Sequence, residues 1–358
     1  MLSAAWLEVD LAALTRNARA LRDHAAVSII PMIKADAYGL GAIHVARALE
    51  RLEPLAYGVA TIEEGEELRA AGIARDILLF TPLLQEDLKS AAAAGLTPTL
   101  GSADEIAGWK NYHRPYHLSI DTGMARAGIP WREVQNASVV IEQNPPAGAF
   151  THFHSPQLDD ASMAEQLGRF REAVAILGRR NTILHTDSSA AIVRHGRSPF
   201  DAIRPGIFMY GVGSGATAAL EPECVVWLRA RIVALRWIET GDTVSYDATY
   251  RATSRRLIAT VPLGYADGYP RGASNAGVAV LRHHIVPIAG RVTMDMIMLD
   301  VTDTGAEIGD IVTLIGDGSA DGAPIDAASV AQVAGMSPYE LLTGFRSRIH
   351  RVYRGLEQ

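Results

Sequence analysis

Leu11, Leu14, Ala18 and Leu21 recur three or four residues apart behind Asp10, a spacing that lines one face of a helix and places Asp10 as its N-cap. The next segment has a different pattern. VSIIPMI (27–33) is an unbroken apolar run of the kind buried on both faces in parallel sheets, and it ends at Lys34. Helix and strand then alternate, with a helix near 41–52, a strand near 55–60, and a helix opened by a capping box of Thr61 and Glu64. Short strands are expected at DILLF (76–80), TPTL (97–100), YHLSI (116–120), GAFT (148–151), TILHT (182–186) and DAIR (201–204). About eight β/α units predict an α/β fold that begins with a closed (β/α)8 barrel of the TIM type, whose reactive groups gather where strands end and loops begin.

From about residue 223 the period shortens to two. LRARIVALRW, RRLIATVPLGY, GVAVLRHHIVPIAG and DIVTLIG read as antiparallel strands broken by Gly and Asp. The expected organisation is a barrel domain over 1–222 and a β-rich C-terminal domain over 223–358. The small, polar stretch GVGSGATAALEPE (211–223) connects them, and the first few residues could pack with the C-terminal domain.

Composition removes several classes of function. With 358 residues, 48% hydrophobic and 20% charged, the chain is that of an ordinary folded protein of two domains. A net charge of −7 leaves no broad basic surface for a phosphate backbone, so nucleic acid is not an expected partner. No run reaches membrane-spanning length, and MLSAAWLEVD meets Glu8 and Asp10 before any basic residue, unlike a signal peptide. The single cysteine, Cys224, cannot form an intramolecular disulfide or a thiolate metal cluster; a cytoplasmic location is expected and no metal site is.

IKADAYGLG places a lysine, a tyrosine and two glycines at the mouth of a barrel strand, where an amine could attack a carbonyl and a hydroxyl could bind phosphate. Lys34 therefore suits a Schiff base. IKADAYG (33–39) resembles the pyridoxal-phosphate lysine motif of bacterial alanine racemases. IDTGMARAG (120–128), THF (151–153), IRPGIFMYG (203–211), VSYDATY (244–250), VPLGYADGY (261–269), GRVTMD (290–295) and SPYELL (337–342) resemble the same family in the same order. Several spaced motifs in one order over nearly the whole chain are far more specific than any one of them.

The resemblance implies pyridoxal 5′-phosphate as cofactor and a two-base racemisation of alanine. Lys34 would bond the cofactor and serve as base on one face of the substrate Cα, and Tyr246 would be the opposite base. Two groups on opposite faces remove and return a proton without turning the carbanion over. A tyrosine of ordinary pKa, about 10, costs about 4 kcal/mol to ionise at pH 7, so nearby positive charge must help. The family places His152 beside that tyrosine and Arg204 beyond it, facing the pyridine nitrogen. By themselves His152 reads equally as a satisfied strand-end histidine and Arg204 as a surface arginine. Phosphate would be held by Tyr38, Ser189, Tyr339 and the amides of Gly206 and Ile207, although Ser189 also reads as a helix cap and Tyr339 as part of a capped helix start. Arg126 would meet the cofactor's phenolic oxygen and the substrate carboxylate, Met294 would offer its amide to that carboxylate, and Tyr265 would line the entrance. The family's active sites are shared in a homodimer, Tyr246, Tyr265 and Met294 reaching into the partner's barrel.

Three departures bear on substrate. Ser119 stands where many relatives carry a lysine whose carbamate holds the arginine corresponding to Arg126, so Arg126 needs another anion: a chloride, ordered water or a carboxylate from elsewhere. FHSPQLDD (153–160) replaces the small acidic loop usual in the family, and HTDSSAA has Ser188 where asparagine is common. Serine or a non-protein amino acid is therefore the alternative to alanine. A pyridoxal decarboxylase lacks support because no GGG loop or EPGR segment is present, and a non-catalytic pyridoxal-phosphate carrier would lack everything after residue 223.

Overall fold

A computed structural model describes residues 4–158, 160–178, 181–215, 220–317 and 325–355. The chain opens with a strand, β1 (Ala5–Asp10), followed by the helix Leu11–Ala25. Asp10 caps that helix by accepting the Ala13 N–H at 2.8 Å, and Leu11, Leu14, Ala18 and Leu21 are buried as their spacing requires.

Eight parallel strands form the barrel: β2 (Ser28–Ile29), β3 (Tyr57–Val59), β4 (Ile77–Leu79), β5 (Thr97–Leu100), β6 (His117–Asp121), β8 (Gly148–Phe150), β9 (Ile183–Ser188) and β10 (Ala202–Arg204). A short additional strand, β7 (Ile129–Pro130), pairs beside β6. β2 is shorter than the run 27–33 because Pro31 has no N–H to give to a ladder. The run still closes the barrel. Gly58 donates to the Pro31 carbonyl at 2.9 Å, Ile33 donates to the Gly58 carbonyl at 2.9 Å, and Met32 donates to Pro205 at 2.9 Å on the other side. The helix Ile62–Ala70 carries the expected capping box of Thr61 and Glu64.

The β-rich region comprises β11 (Val226–Arg231), β12 (Ala234–Ile238), β13 (Thr243–Val244), β14 (Tyr250–Arg251), β15 (Arg256–Val261), β16 (Val278–Leu281), β17 (His284–Pro287), β18 (Ile297–Asp300), β19 (Ile311–Ile315) and β20 (His350–Arg354). Its largest sheet runs β17-β16-β19-β11-β1-β20, so the first described strand of the chain lies between β11 and β20. Glu8 on β1 is buried and accepts from Trp6 Nε1 and Arg229 Nη1, each at 2.9 Å, while Arg354 pairs with its other oxygen at 2.7 Å. These bonds fasten β1 to both neighbours.

The connecting stretch 211–223 has residues 216–219 outside the described set. Its end is pinned to the first helix by reciprocal bonds between Asn17 and the Glu223 backbone, at 2.9 and 2.8 Å. Among the described residues, no helix is long and apolar enough to cross a membrane.

Candidate active site

Lys34 opens a segment with an unusual backbone. Ala35, Asp36, Ala37 and Tyr38 all have φ between 52° and 57°, one turn of left-handed helix that costs about 1–2 kcal/mol per non-glycine residue. The surroundings compensate. The Ala35 N–H donates to Glu64 Oε1 at 2.6 Å, the Ala42 N–H to Asp36 Oδ1 at 2.7 Å, and Arg351 Nε to the Gly39 carbonyl at 2.8 Å. Gly39 is needed because a Cβ there would collide with the Leu342 carbonyl oxygen. The turn sets Lys34 and Tyr38 into the wall of one cavity of about 580 Å³ at the barrel mouth. Burial lowers the lysine's pKa, neighbouring Arg126 lowers it further, and Glu64 opposes both. A larger fraction of neutral amine is what a nucleophile or base requires.

At one end of the cavity the groups are neutral hydroxyls and amides. Tyr38 stacks on Tyr210 with ring centroids 4.5 Å apart and lies 6.0 Å from the Tyr339 ring. Burial raises the Tyr38 pKa, so its hydroxyl stays a donor. Ser189 Oγ accepts the Gly206 N–H at 2.9 Å, and its helix Ser189–His195 has no side-chain cap, so the capping role belongs neither to Ser189 nor to Ser188. A Cβ on Gly206 would stand 2.7 Å from the Tyr38 hydroxyl; glycine keeps this corner open. Tyr339 does sit at a capped helix start, with Ser337 and Glu340 forming the capping box.

Arg204 is buried rather than exposed. Its Nη2 donates to the carbonyls of Thr151 at 2.7 Å and Thr186 at 2.9 Å, and lies 3.4 Å from His152 Nδ1. Burial brings its pKa down to about 10, with Asp187 opposing, so it remains cationic at neutral pH. His152 is pushed down to about 3, first by burial and then by Arg204, Arg126 and Lys34, and is therefore a neutral imidazole. Its Nδ1 faces a donor that cannot accept, which places the ring proton on Nε2.

The cavity joins nine of the expected residues: Lys34, Tyr38, Arg126, His152, Ser189, Arg204, Gly206, Ile207 and Tyr339. Ser119 also lines it, and Arg126 has no hydrogen-bond or ion-pair partner among the described residues. Tyr246, Tyr265 and Met294 are not in it. They are 71%, 38% and 52% exposed, on loops joined to one another. Tyr265 and Ala266 donate to the carbonyls of Thr293 and Met294, each at 3.0 Å, and Ser245 Oγ donates to the Arg291 carbonyl at 2.8 Å.

Sequence reasoning missed the site role of Glu64 and the histidines beneath Arg204, residues 117 and 185. It also passed over a compositional signal: of 33 basic residues only Lys34, Lys89 and Lys110 are lysines, so a lysine at a strand end breaks the chain's habit. Cys224 is half-buried and its thiol is pushed up to about 11 by burial, which leaves it unreactive.

Residues 9–214 match the family model described as alanine racemase, N-terminal domain, and residues 225–353 match alanine racemase, C-terminal domain. The chain is 37% identical to the alanine racemase of Citrifermentans bemidjiense over 98% of both chains. It is 36% identical to that of Sorangium cellulosum, over 97% of this chain and 98% of the relative. Among solved structures it resembles alanine racemase from Bartonella henselae with covalently bound pyridoxal phosphate, at TM-score 0.89 and 29% identity, covering 98% of this chain and 99% of that one. It also resembles the Bacillus anthracis enzyme with bound L-Ala-P, at TM-score 0.90 and 29% identity, covering 99% and 96%. With both family models matched and full-length relatives above 30% identity, this chain belongs to the alanine racemase family.

Proposed function

We propose that this chain is a pyridoxal-phosphate-dependent racemase that interconverts L- and D-alanine, working as a cytoplasmic homodimer. Its barrel domain would span 1–222, and its β-rich domain 223–358 together with β1. The observation that carries the proposal is the division of the expected residues: a cavity with one half-buried lysine whose pKa is lowered, and a separate exposed rim bearing Tyr246, Tyr265 and Met294. A second copy would bring the missing acid–base group and cover the cavity.

The cavity fits the cofactor. Its hydroxyl-and-amide corner, kept open by Gly206, suits a phosphate; Lys34 suits its carbonyl carbon; and Arg204 suits the ring nitrogen. When bound, pyridoxal phosphate supplies a carbonyl to join the substrate amine and a ring that accepts electrons from Cα. Arg204 stays charged, so as a hydrogen-bond donor it would hold the ring nitrogen, and its positive charge would disfavour protonation there. Lys34 moves a proton on one face of Cα, and Tyr246 of the partner subunit moves one on the other. His152 donates from Nε2 toward the phenol oxygen, and Arg204 behind it supplies the positive charge that eases phenol ionisation. Arg126 and the amide of Met294 of the partner subunit orient the carboxylate, and Tyr265 of the partner subunit narrows the entrance and excludes water.

A racemase specialised for serine or another small amino acid is the second reading. It is favoured by the polar Ser119, His154 and Gln157 in the cavity wall. Incubation with a panel of L-amino acids in D₂O, scored for Cα deuterium and enantiomer ratio, separates these outcomes. Fastest conversion of alanine to both deuterated enantiomers is expected; faster serine conversion supports the second reading, and amine release without racemisation removes both.

A further inference from the structure

Tyr246 lies in the connection between β13 and β14, where Val244 pairs with Tyr250. It is 71% exposed and its side chain has no hydrogen bond among the described residues, so its backbone sets where the phenol points. That backbone is strained on both sides. Ser245 has φ 68° and ψ −175°, a region essentially reserved for glycine and costing about 1–3 kcal/mol for other residues. Asp247 and Ala248 follow at φ 60° and 49°.

We infer that Ser245, backed by Asn275, is a positioning residue that aims the Tyr246 phenol; this rests on the assignment of Tyr246 as a base. A glycine at 245 would remove the steric cost, yet it would also remove the hydroxyl that donates to the Arg291 carbonyl at 2.8 Å. Arg291 pairs in turn with Asp247 at 2.7 Å, so one residue grips both neighbours of Tyr246. Beneath them Gly290 packs so closely that a Cβ would stand 2.6 Å from the Val244 carbonyl oxygen. Its N–H donates to Asn275 Oδ1 at 2.6 Å, and Asn275 Nδ2 donates to Thr249 Oγ1 at 3.0 Å. Residues 245, 247 and 249 are thus each tied down while 246 is left free to project. A base must come within hydrogen-bond reach of its proton, and a displacement of about 1 Å can cost about 100-fold in rate.

The test uses the holoenzyme variants Ser245→Ala, Ser245→Gly and Asn275→Ala beside Tyr246→Phe, with deuterium uptake from D₂O followed separately from L- and D-alanine. Ser245→Gly guards against misfolding because it relieves the backbone. The expected result is a fall in turnover of about 10- to 100-fold for Ser245→Ala and Ser245→Gly, with KM within about twofold. Exchange should fall mainly from the enantiomer that Tyr246→Phe also silences. Equal loss from both enantiomers, or exchange at the unmodified rate from both, would overturn the inference while leaving the Tyr246 assignment intact. If Tyr246→Phe itself loses both faces equally, that assignment fails and the inference falls with it.

Discussion

Arg204 places Nη1 2.8 Å from Nδ1 of His185 and 2.7 Å from its carbonyl oxygen, gripping one buried residue at two points. Because a guanidinium only donates, His185 Nδ1 must accept, its proton sits on Nε2, and that nitrogen donates to His117 Nδ1 at 2.8 Å. Phe150 stacks on the His185 ring with centroids 5.1 Å apart and fixes its plane. The arginine at the floor of the cavity is therefore aimed by a chain of neutral imidazoles.

Arg204→Lys should break this arrangement, since one ammonium cannot span the four strong acceptors the guanidinium reaches. The expected cost is about 2–3 kcal/mol of stability, with racemisation reduced more than tenfold. Urea denaturation and steady-state rates check both; a variant of unchanged stability would mean these bonds contribute little.

Acid should destabilise the protein through its buried histidines. Burial pushes His117 down to about 4 and His152 to about 3, and His185 well below the ordinary value of 6.5. Between those values and 6.5 the unfolded chain binds protons that the folded chain refuses. Stability is therefore retained above 6.5 and lost as pH falls toward 4, by up to about 1.4 kcal/mol per pH unit for each histidine. Denaturant midpoints at fixed protein concentration from pH 7 to 4.5 should show this slope, and His117→Asn should make it shallower.

Much of this could be read in the sequence where the signal is local. The capping boxes at Thr61 and Ser337 and the barrel strands lie where pattern and turn chemistry put them. Strand β1 escaped because it is paired on both sides and nearly every position is buried, which erases the alternation that marks a half-exposed strand. The left-handed turn after Lys34 escaped because Ala, Asp, Ala and Tyr give no glycine signal at φ near 52°. His117, His185 and Arg204 come from separate strands and meet only when the parallel sheet closes.

Glu64→Gln tests the electrostatic setting of Lys34. The carboxylate accepts the Ala35 N–H at 2.6 Å and the Ala60 N–H at 2.7 Å, and its charge raises the lysine's pKa against burial. The amide can accept at one end only and carries no charge. A loss of about 1–2 kcal/mol and a further drop in the Lys34 pKa are expected. With only three lysines in the chain, ¹³C-methyl labelling of cofactor-free protein gives a readable titration; an upward shift would contradict the assignment.

The central claim is that Lys34 of one subunit and Tyr246 of the partner subunit serve the same site. Lys34→Ala and Tyr246→Phe, each nearly inactive alone, can be unfolded together in equal amounts, refolded with cofactor and assayed. A mixed dimer then carries one site with both side chains intact, and random pairing predicts recovery of about one quarter of unmodified activity. Activity no greater than the average of the two parents, with mixed dimers shown to form, would contradict the shared site.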